Sequence, residues 1–413
     1  MNNEKPTLLQ INATCNFGST GHIAEQIAIY AEKFGWCCYI AHGARYIRNS
    51  SISTYLIGSK LDNILHAFIS MFLGRNGLGS VCATYRLIRF IKRIKPDIIH
   101  LHNIHGYYIN YPILFRFLNN YGVPVVWTLH DCWSMTGQCT HFESVGCTKW
   151  KEERGCHHCP QLNASYKTYI DRSNKNWRLK KAVFSNMGNL TIVPVSYWLE
   201  GIVRQSFLKN LTIKTIRNGI DTSVFVPIED KPSMLMKYGL VGKQYVIGVA
   251  TDWSDKKGLS DYCKLANIMP PDVLIVLLGL DEQKSKEMAK YGIIGITRTD
   301  DVKELVALYN GATIVMNLSY EESFGLTPVE GFACGVPCIV YKATASPELV
   351  TPETGIIVEP GDIDGVSEAI QTIIKNGKGY YSQPCRERAI NYFDKNDRFR
   401  EYVKLYEELI KAN

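Results

Sequence analysis

Ten apolar runs of strand length recur along the chain in two series, and they limit its fold more than any other feature. The first series is TLLQI (7–11), CCYIA (37–41), DIIHLH (97–102), PVVWTL (124–129) and TIVPVS (191–196). The second is YVIGVA (245–250), DVLIVLLG (272–279), ATIVMNLS (312–319), PCIVY (337–341) and GIIV (355–358). Near-continuous apolar runs suit strands covered on both faces, as in parallel sheets. Helical patterns separate many of them, at 21–34, 84–95, 300–310, 365–375 and 395–411. The alternation predicts an α/β protein with two doubly wound, Rossmann-like sheets. Ligands of such sheets bind beyond the carboxyl ends of the strands, so two facing sheets would enclose a central cleft. The turn-rich stretch RNGIDTSVFVPIEDKPS (217–233) marks the divide. It predicts an N-terminal domain at 1–222, a C-terminal domain at 223–394 and an amphipathic last helix in 395–413.

With 413 residues, 46% hydrophobic and 21% charged, the chain can fill two cores and is not disordered. Its start, MNNEKPTLLQIN, lacks a secretory pattern, and no run of 18 apolar residues occurs; the expectation is a cytoplasmic protein without a membrane span. A net charge of +7 is mild and does not point to nucleic acid. The basic residues are concentrated, however. No acid stands between Asp62 and Asp97, whereas Arg75, Arg86, Arg89, Lys92, Arg93 and Lys95 do. Within that window Leu87, Ile88, Ile91 and Ile94 fall at helical spacing. Helix 84–95 is then either a surface helix packed on a sheet or a basic amphipathic helix facing anionic lipid, which would make the protein peripheral at the inner face of the plasma membrane.

Residues 312–341, ATIVMNLSYEESFGLTPVEGFACGVPCIVY, carry the densest chemistry. A strand ends in a loop with Glu322, Ser323, Phe324 and Gly325, beside a helix start that favours phosphate. Thr327, Pro328 and Glu330 have the spacing of a capping box, which would give Glu330 a purely local role. Gly18-Ser19-Thr20-Gly21 opens the first helix after the first strand; its glycines admit a close ligand, and a serine N-cap is the local alternative. It is not G-x-G-x-x-G, which counts against a dehydrogenase. His130 and Asp131 follow a parallel strand, where the imidazole could bond a ligand hydroxyl and Asp131 could fix its tautomer. Cys139, Cys147, Cys156 and Cys159 lie in an insertion at about 132–162 with a C-x2-C half-site, which suits structural zinc; packed reduced thiols or a redox-labile pair are the alternatives. His141, His157 and His158 could substitute as ligands.

Taken in order, several motifs resemble those of family-4 retaining glycosyltransferases of the GT-B fold. They are Glu322-x7-Glu330 enclosing Phe324-Gly325-Leu326, then ACGVP (333–337), with GSTG (18–21), PDIIHLHNIHGYY (96–108), WTLHDCW (127–133), VSYWL (195–199), RNGID (217–221), Lys257-Gly258 and SPE (346–348). The likeness is nearest to bacterial transferases that build capsular, exopolysaccharide or O-antigen chains. It implies a nucleotide-sugar donor, UDP- or GDP-linked, and a glycan acceptor carried on polyprenyl diphosphate. It also implies front-side displacement with retention and no metal or other cofactor required for chemistry.

The resemblance assigns roles by position. Glu322 would meet the donor sugar and Glu330 the ribose. The backbone of Phe324, Gly325 and Leu326 would hold sugar and diphosphate, with Thr327 and Asn218 beside them. Lys257 would neutralise the leaving diphosphate, and His130 would join Lys257 and Glu322 as a catalytic group. Gly18, Ser19, Thr20 and Gly21 would lie on the donor side. His105, Tyr107, Asn110 and Asp131 would face the acceptor, and the last helix would return to the N-terminal domain. Two departures stand out. Many relatives have an arginine where this chain has Asp252, so Lys256 or Arg217 would have to replace that cation. The glycines usual before Ser-Pro-Glu are also missing, which weakens Glu348 as a donor contact. The same architecture would also serve a nucleotide-sugar epimerase, or a non-catalytic nucleotide-sugar or glycan-binding subunit of an assembly complex.

Overall fold

The computed structural model describes residues 5–44, 47–229 and 232–412. Its packing separates two units: one runs to Ile216 and takes in the chain from Phe399, and the other is Arg217–Arg398. The divide therefore falls at 216/217 rather than 222/223, and the return to the first unit comes inside the last helix.

The first unit is built on a parallel sheet of β1 (Thr7–Asn12), β2 (Cys37–His42), β3 (Ser53–Leu56), β4 (Ile98–Leu101), β5 (Val125–Leu129), β6 (Leu190–Pro194) and β7 (Thr212–Ile213). Their order is β3-β2-β1-β4-β5-β6-β7. Ile11 pairs with Leu101 and Leu101 with Trp127, so β1, β4 and β5 end side by side. The order reverses between β1 and β4, where doubly wound sheets leave a crevice. Helix α1 (Gly18–Lys33) follows β1, and α2 (Lys60–Leu73) follows β3. The basic helix α3 (Val81–Ile94) packs Leu87, Ile88, Phe90 and Ile91 into the interior. Its apolar face is thus consumed by the fold and is not free to enter lipid, which corrects the membrane reading of 84–95. Helix α4 (Tyr111–Tyr121) comes next.

The last helix, Lys395–Ala412, completes this unit's core. Phe399, Tyr402, Val403 and Tyr406 recur at helical spacing and pack with Leu8, Ile27, Trp36 and Ile98. Two of its hydroxyls also serve polar groups in the middle of the sheet. The Tyr406 hydroxyl pairs with His100 Nδ1 at 2.7 Å, and the Tyr402 hydroxyl pairs with Thr128 Oγ1 at 3.0 Å. Thr128 Oγ1 in turn meets His100 Nε2 at 2.8 Å.

The second unit repeats the design with β8 (Gln244–Val249), β9 (Val273–Leu278), β10 (Ile294–Ile296), β11 (Ile314–Asn317), β12 (Cys338–Tyr341) and β13 (Gly355–Val358). Their order is β10-β9-β8-β11-β12-β13, all parallel, with the reversal between β8 and β11. Strands β3, β7 and β10 have no counterpart among the ten runs. All three are sheet edges, short and only partly buried, so they carry no continuous apolar signal. Among the described residues no helix is long and apolar enough to cross a membrane.

Tyr406→Ala should cost about 3–5 kcal/mol, because it opens a cavity and strips His100 of a partner. Tyr406→Phe, which removes only the hydroxyl, should cost about 1–2 kcal/mol. Urea denaturation of the two variants checks both values.

Candidate active site

In the second unit, two loops meet at the reversal of strand order. After β8 the chain reaches Lys256-Lys257-Gly258. Gly258 has a φ of +74°, and a Cβ there would lie 2.3 Å from the Leu318 carbonyl oxygen. Only glycine allows that approach. With the loops in contact, Tyr320 N–H donates to the Lys256 carbonyl at 2.9 Å. Lys256 Nζ meets Glu321 at 2.6 Å, and Lys257 Nζ meets Glu322 at 2.5 Å. Glu322 N–H donates to Thr344 Oγ1 at 2.8 Å, which ties in the loop after β12. Buried Asp261 braces the assembly from beneath by accepting from the hydroxyls of Tyr320 (2.7 Å) and Tyr341 (2.9 Å).

Three polar atoms in these loops and strand ends are buried without a hydrogen-bond partner: Asn317 Nδ2, Ser323 Oγ and Ser346 Oγ. Unsatisfied buried groups are costly. Gathered around Lys257 and Glu322, they are groups that a polar ligand would satisfy. Phe324 is buried, 5.9 Å from the Phe393 ring. The guanidinium groups of Arg217 and Arg388 lie over that ring at 4.9 and 5.7 Å. Arg388 also donates to the carbonyls of Leu349 and Glu348. Asp252 is exposed, with Lys284 at 3.8 Å, while Lys256 is engaged with Glu321. Arg217 and Arg388 are therefore the cations set beside Phe324. Arg388 has no motif around it to disclose this in the sequence. Asn218 is half-buried next to Gly219, which packs closely on Lys395.

The expected capping box does not form. Helix Leu326–Ala333 begins two residues earlier, with Gly325 at the N-cap in a left-handed conformation (φ 92°) and no side-chain cap. Thr327 thus sits inside the helix, and Glu330 is released from local duty. Its carboxylate accepts from the Tyr309 hydroxyl at 2.7 Å. Burial pushes Glu330 up to about 7, against the lowering effect of that hydrogen bond.

In the first unit, α1 starts at Gly18 (φ 65°) with Phe17, not serine, at the N-cap, and no side chain caps it. A Cβ on Gly21 would lie 2.8 Å from Thr14 Oγ1, so the loop closes tightly on the helix. Gly18 and Ser19 are exposed, and Thr20 is half-buried.

Beyond β4 and β5 the side chains form a chain of hydrogen bonds whose direction is determined. Gln10 Nε2 donates to the Ala24 carbonyl at 2.7 Å, so Gln10 Oε1 must accept. It accepts from His102 Nε2 at 2.8 Å. Burial holds His102 well below the usual histidine range, hence neutral, which leaves Nδ1 as an acceptor. His130 Nε2 lies 3.1 Å from it and donates. Burial also lowers His130, to about 4, with Asp131 opposing and His105 assisting. His130 therefore presents a bare Nδ1 lone pair. This corrects the expected partnership: Asp131 does not orient His130. Instead Asp131 Oδ2 pairs with His105 Nε2 at 2.8 Å, and Oδ1 accepts from Trp133 N–H at 2.8 Å. Burial alone would raise Asp131; His105 and these bonds hold it down to about 2. His105 Nδ1 meets the Tyr166 hydroxyl, whose ring lies edge-on to Tyr107 at 5.3 Å.

Asn110 is a structural residue. Buried, it caps α4 through Ile113 N–H and donates to the Leu78 carbonyl at 2.7 Å. Cys139, Cys147, Cys156 and Cys159 all line one cavity of about 10 Å3. Among the described residues, however, no group of three or more His, Cys, Asp or Glu is placed to hold a metal ion. Cys139 and Cys156 are buried thiols, each pushed up to about 12 by burial, and Cys156 Sγ accepts from Gly137 N–H at 3.3 Å. Cys147 and Cys159 are half-buried. The expected zinc cage is not assembled by this geometry. The segment is braced instead by buried Lys180, whose Nζ donates to the carbonyls of Trp133 (2.6 Å) and Thr136 (3.0 Å).

Comparison with known proteins agrees with these two units. Residues 58–224 match the profile of Glycosyltransferase Family 4, and residues 230–395 match that of Glycosyl transferases group 1. The chain is a GT-B glycosyltransferase. It is 26% identical to WcaC of Escherichia coli K12, named as a colanic acid biosynthesis glycosyl transferase, over 83% of this chain and 84% of that one. Its fold resembles sucrose-phosphate synthase of Thermosynechococcus elongatus, with a TM-score of 0.73 at 16% identity over 99% and 100% of the two chains. It also resembles Anabaena Alr3699/HepE in complex with UDP-glucose, with a TM-score of 0.67 at 15% identity over 97% and 99%.

Two outcomes follow for the glycosyltransferase. Folded Glu330 keeps its proton up to about pH 7 but has an ordinary value of 4.5, so its contribution to stability is lost as pH rises between them. From pH 5 to pH 8 the melting temperature of wild type should therefore fall further than that of Glu330→Gln, by about 4–10 °C at roughly 2–4 °C per kcal/mol. For the histidine chain, nitrogen-15 NMR at pH 6 should show His130 neutral and protonated on Nε2; an Nδ1–H form would contradict the derived direction.

Proposed function

We propose that this glycosyltransferase moves a sugar from a nucleoside-diphosphate donor to a surface-polysaccharide glycan, with retention of anomeric configuration. The observation that carries the reading is the Lys257–Glu322 ion pair, set among the orphaned Asn317, Ser323 and Ser346 beside the N-terminus of helix Leu326–Ala333. A cation and free helix N–H groups match a diphosphate, and carboxylates match sugar and ribose hydroxyls. The donor would insert its diphosphate on the lysine side and its hydroxyls on Glu322 and Glu330. As the bond to the sugar breaks, Lys257 stabilises the charge gathering on the leaving phosphate, which itself takes the acceptor's proton. His130, with its Nδ1 lone pair available, accepts from a sugar hydroxyl and positions it. His105, Tyr107 and Asp131 serve the acceptor glycan.

WcaC is named for colanic acid biosynthesis, which supports a surface-polysaccharide glycan built on a lipid carrier. The acceptor would then be a polyprenyl-diphosphate-linked glycan reached from the cytoplasmic face of the membrane.

The first test is thermal melting with UDP, GDP, ADP and CMP in parallel. One nucleoside diphosphate should raise the melting temperature, since a ligand at about 100 times its dissociation constant adds ~2.7 kcal/mol. Lys257→Ala should lower turnover on that donor by about 10²-fold or more, and proton NMR of the first product should show the donor's anomeric configuration. A chain stabilised by none of the four, or a product of inverted configuration, would refute the proposal.

A further inference from the structure

Helix α2 is built the wrong way round for a water-soluble surface. Its buried residues are His66 and Ser70, while Leu61 (64% exposed), Ile64 (63%), Leu65, Phe68, Phe72 and Leu73 face outward. Positions 61, 64, 65, 68 and 72 share one helical face. The helix cannot turn that face inward, because its polar side is locked. His66 Nδ1 pairs with Ser80 Oγ at 2.9 Å, and its Nε2 accepts from Gly79 N–H at 3.1 Å. Gly79 lies so close that a Cβ there would be 2.4 Å from the His66 ring. A neighbouring segment extends the apolar face. Tyr169 N–H donates to the Met71 carbonyl at 2.9 Å, its ring lies 5.3 Å from Phe72, and both Tyr169 and Ile170 are exposed.

We propose that α2 and the Tyr169–Ile170 segment form a docking surface for an anionic lipid bilayer. Charge selects this occupant. Exposed Lys60, Arg75 and Lys167 rim the face. The acids near it are engaged: Asp62 closes the Ser59 capping box and lies 3.6 Å from Arg86, and Asp171 accepts from the N–H groups of Cys159 and Ser173. An apolar face rimmed by cations fits lipid tails beneath anionic headgroups. A twofold dimer through the same face would set that cationic rim against itself.

The surface also leads to the acceptor-side residues within the same unit. The His66 ring lies 5.7 Å from Tyr107, and Ser80 Oγ donates to the Tyr107 carbonyl at 3.2 Å. Tyr107 abuts Tyr166, which bonds His105. A bilayer on α2 would thus bring a lipid-linked acceptor beside His105 and Tyr107. That last step rests on the lipid-linked acceptor proposed above; docking does not.

The test is flotation of the full chain with vesicles of phosphatidylcholine alone or mixed with phosphatidylglycerol. The chain should float with the mixed vesicles, and Ile64→Ser with Phe68→Ser together should lower partitioning by about tenfold or more. Both positions are exposed, so the doubly substituted chain should keep its melting temperature and its response to nucleoside diphosphate. Loss of that response in wild type would count against the donor reading and leave the flotation result standing. Docking is overturned if wild type does not float with the mixed vesicles, or if the doubly substituted chain floats as well. It is also overturned if lipid-free sedimentation shows a dimer that the two substitutions dissolve, which assigns the face to a second copy.

Discussion

The approach of Gly258 to the Leu318 carbonyl holds together two loops that are remote in sequence. The two lysine–glutamate ion pairs at the candidate donor site depend on that closeness. Without it Lys257 could not reach Glu322, nor Lys256 reach Glu321, and the Lys256 carbonyl would lose the Tyr320 N–H. The strand order makes the approach possible, since β8 and β11 are neighbours at the reversal. The missing Cβ makes it close. A lysine followed by glycine therefore serves one purpose with two residues: one supplies charge and the other removes the bulk that would hold the charge away.

The two units treat buried polarity in opposite ways. The second gathers formal charges into close opposite pairs and leaves a few neutral donors unsatisfied. The first keeps His102 and His130 neutral by burial and lines them up so that each ring nitrogen's role follows from the one before. The arrangement needs no counter-charge, and it delivers one lone pair at the outer end. A row of neutral imidazoles avoids the desolvation cost of charge. It also fixes orientation, because reversing any member would set donor against donor.

The central strands were legible because burial on both faces demands continuous apolar runs. The edge strands β3, β7 and β10 were not, because half-exposed segments owe nothing to that rule. Lys257, Glu322 and Glu330 were found through motif resemblance, and spacing alone misled on Glu330. Thr327-x-x-Glu330 has the letters of a cap, but Gly325 in a left-handed conformation moved the helix start and left the box unformed. Adjacency misled on His130 and Asp131. Neighbours in a chain leaving a strand point apart, so their partners came from other loops: His102 for one and His105 for the other. Periodicity located amphipathic helices but not which face turns outward. For α3 the apolar face went inside, and for α2 it did not, because the polar contacts of His66 decided the rotation. Asn110 looked like a sugar ligand and proved to be a helix cap; an asparagine before Tyr-Pro at a helix start was the available signal.

The last helix has a bearing on how the protein is made. His100 sits in the middle of the first sheet, yet the hydroxyl on its Nδ1 comes from Tyr406, and Thr128 beside it depends on Tyr402. A ribosome delivers the first unit's seven strands long before those tyrosines. Until the final helix emerges, that sheet carries an open apolar face and an imidazole short of a partner, while the second unit can already close on itself. The N-terminal half thus matures after the second unit, and a chain cut just before Phe399 would have its second unit complete and its first incomplete.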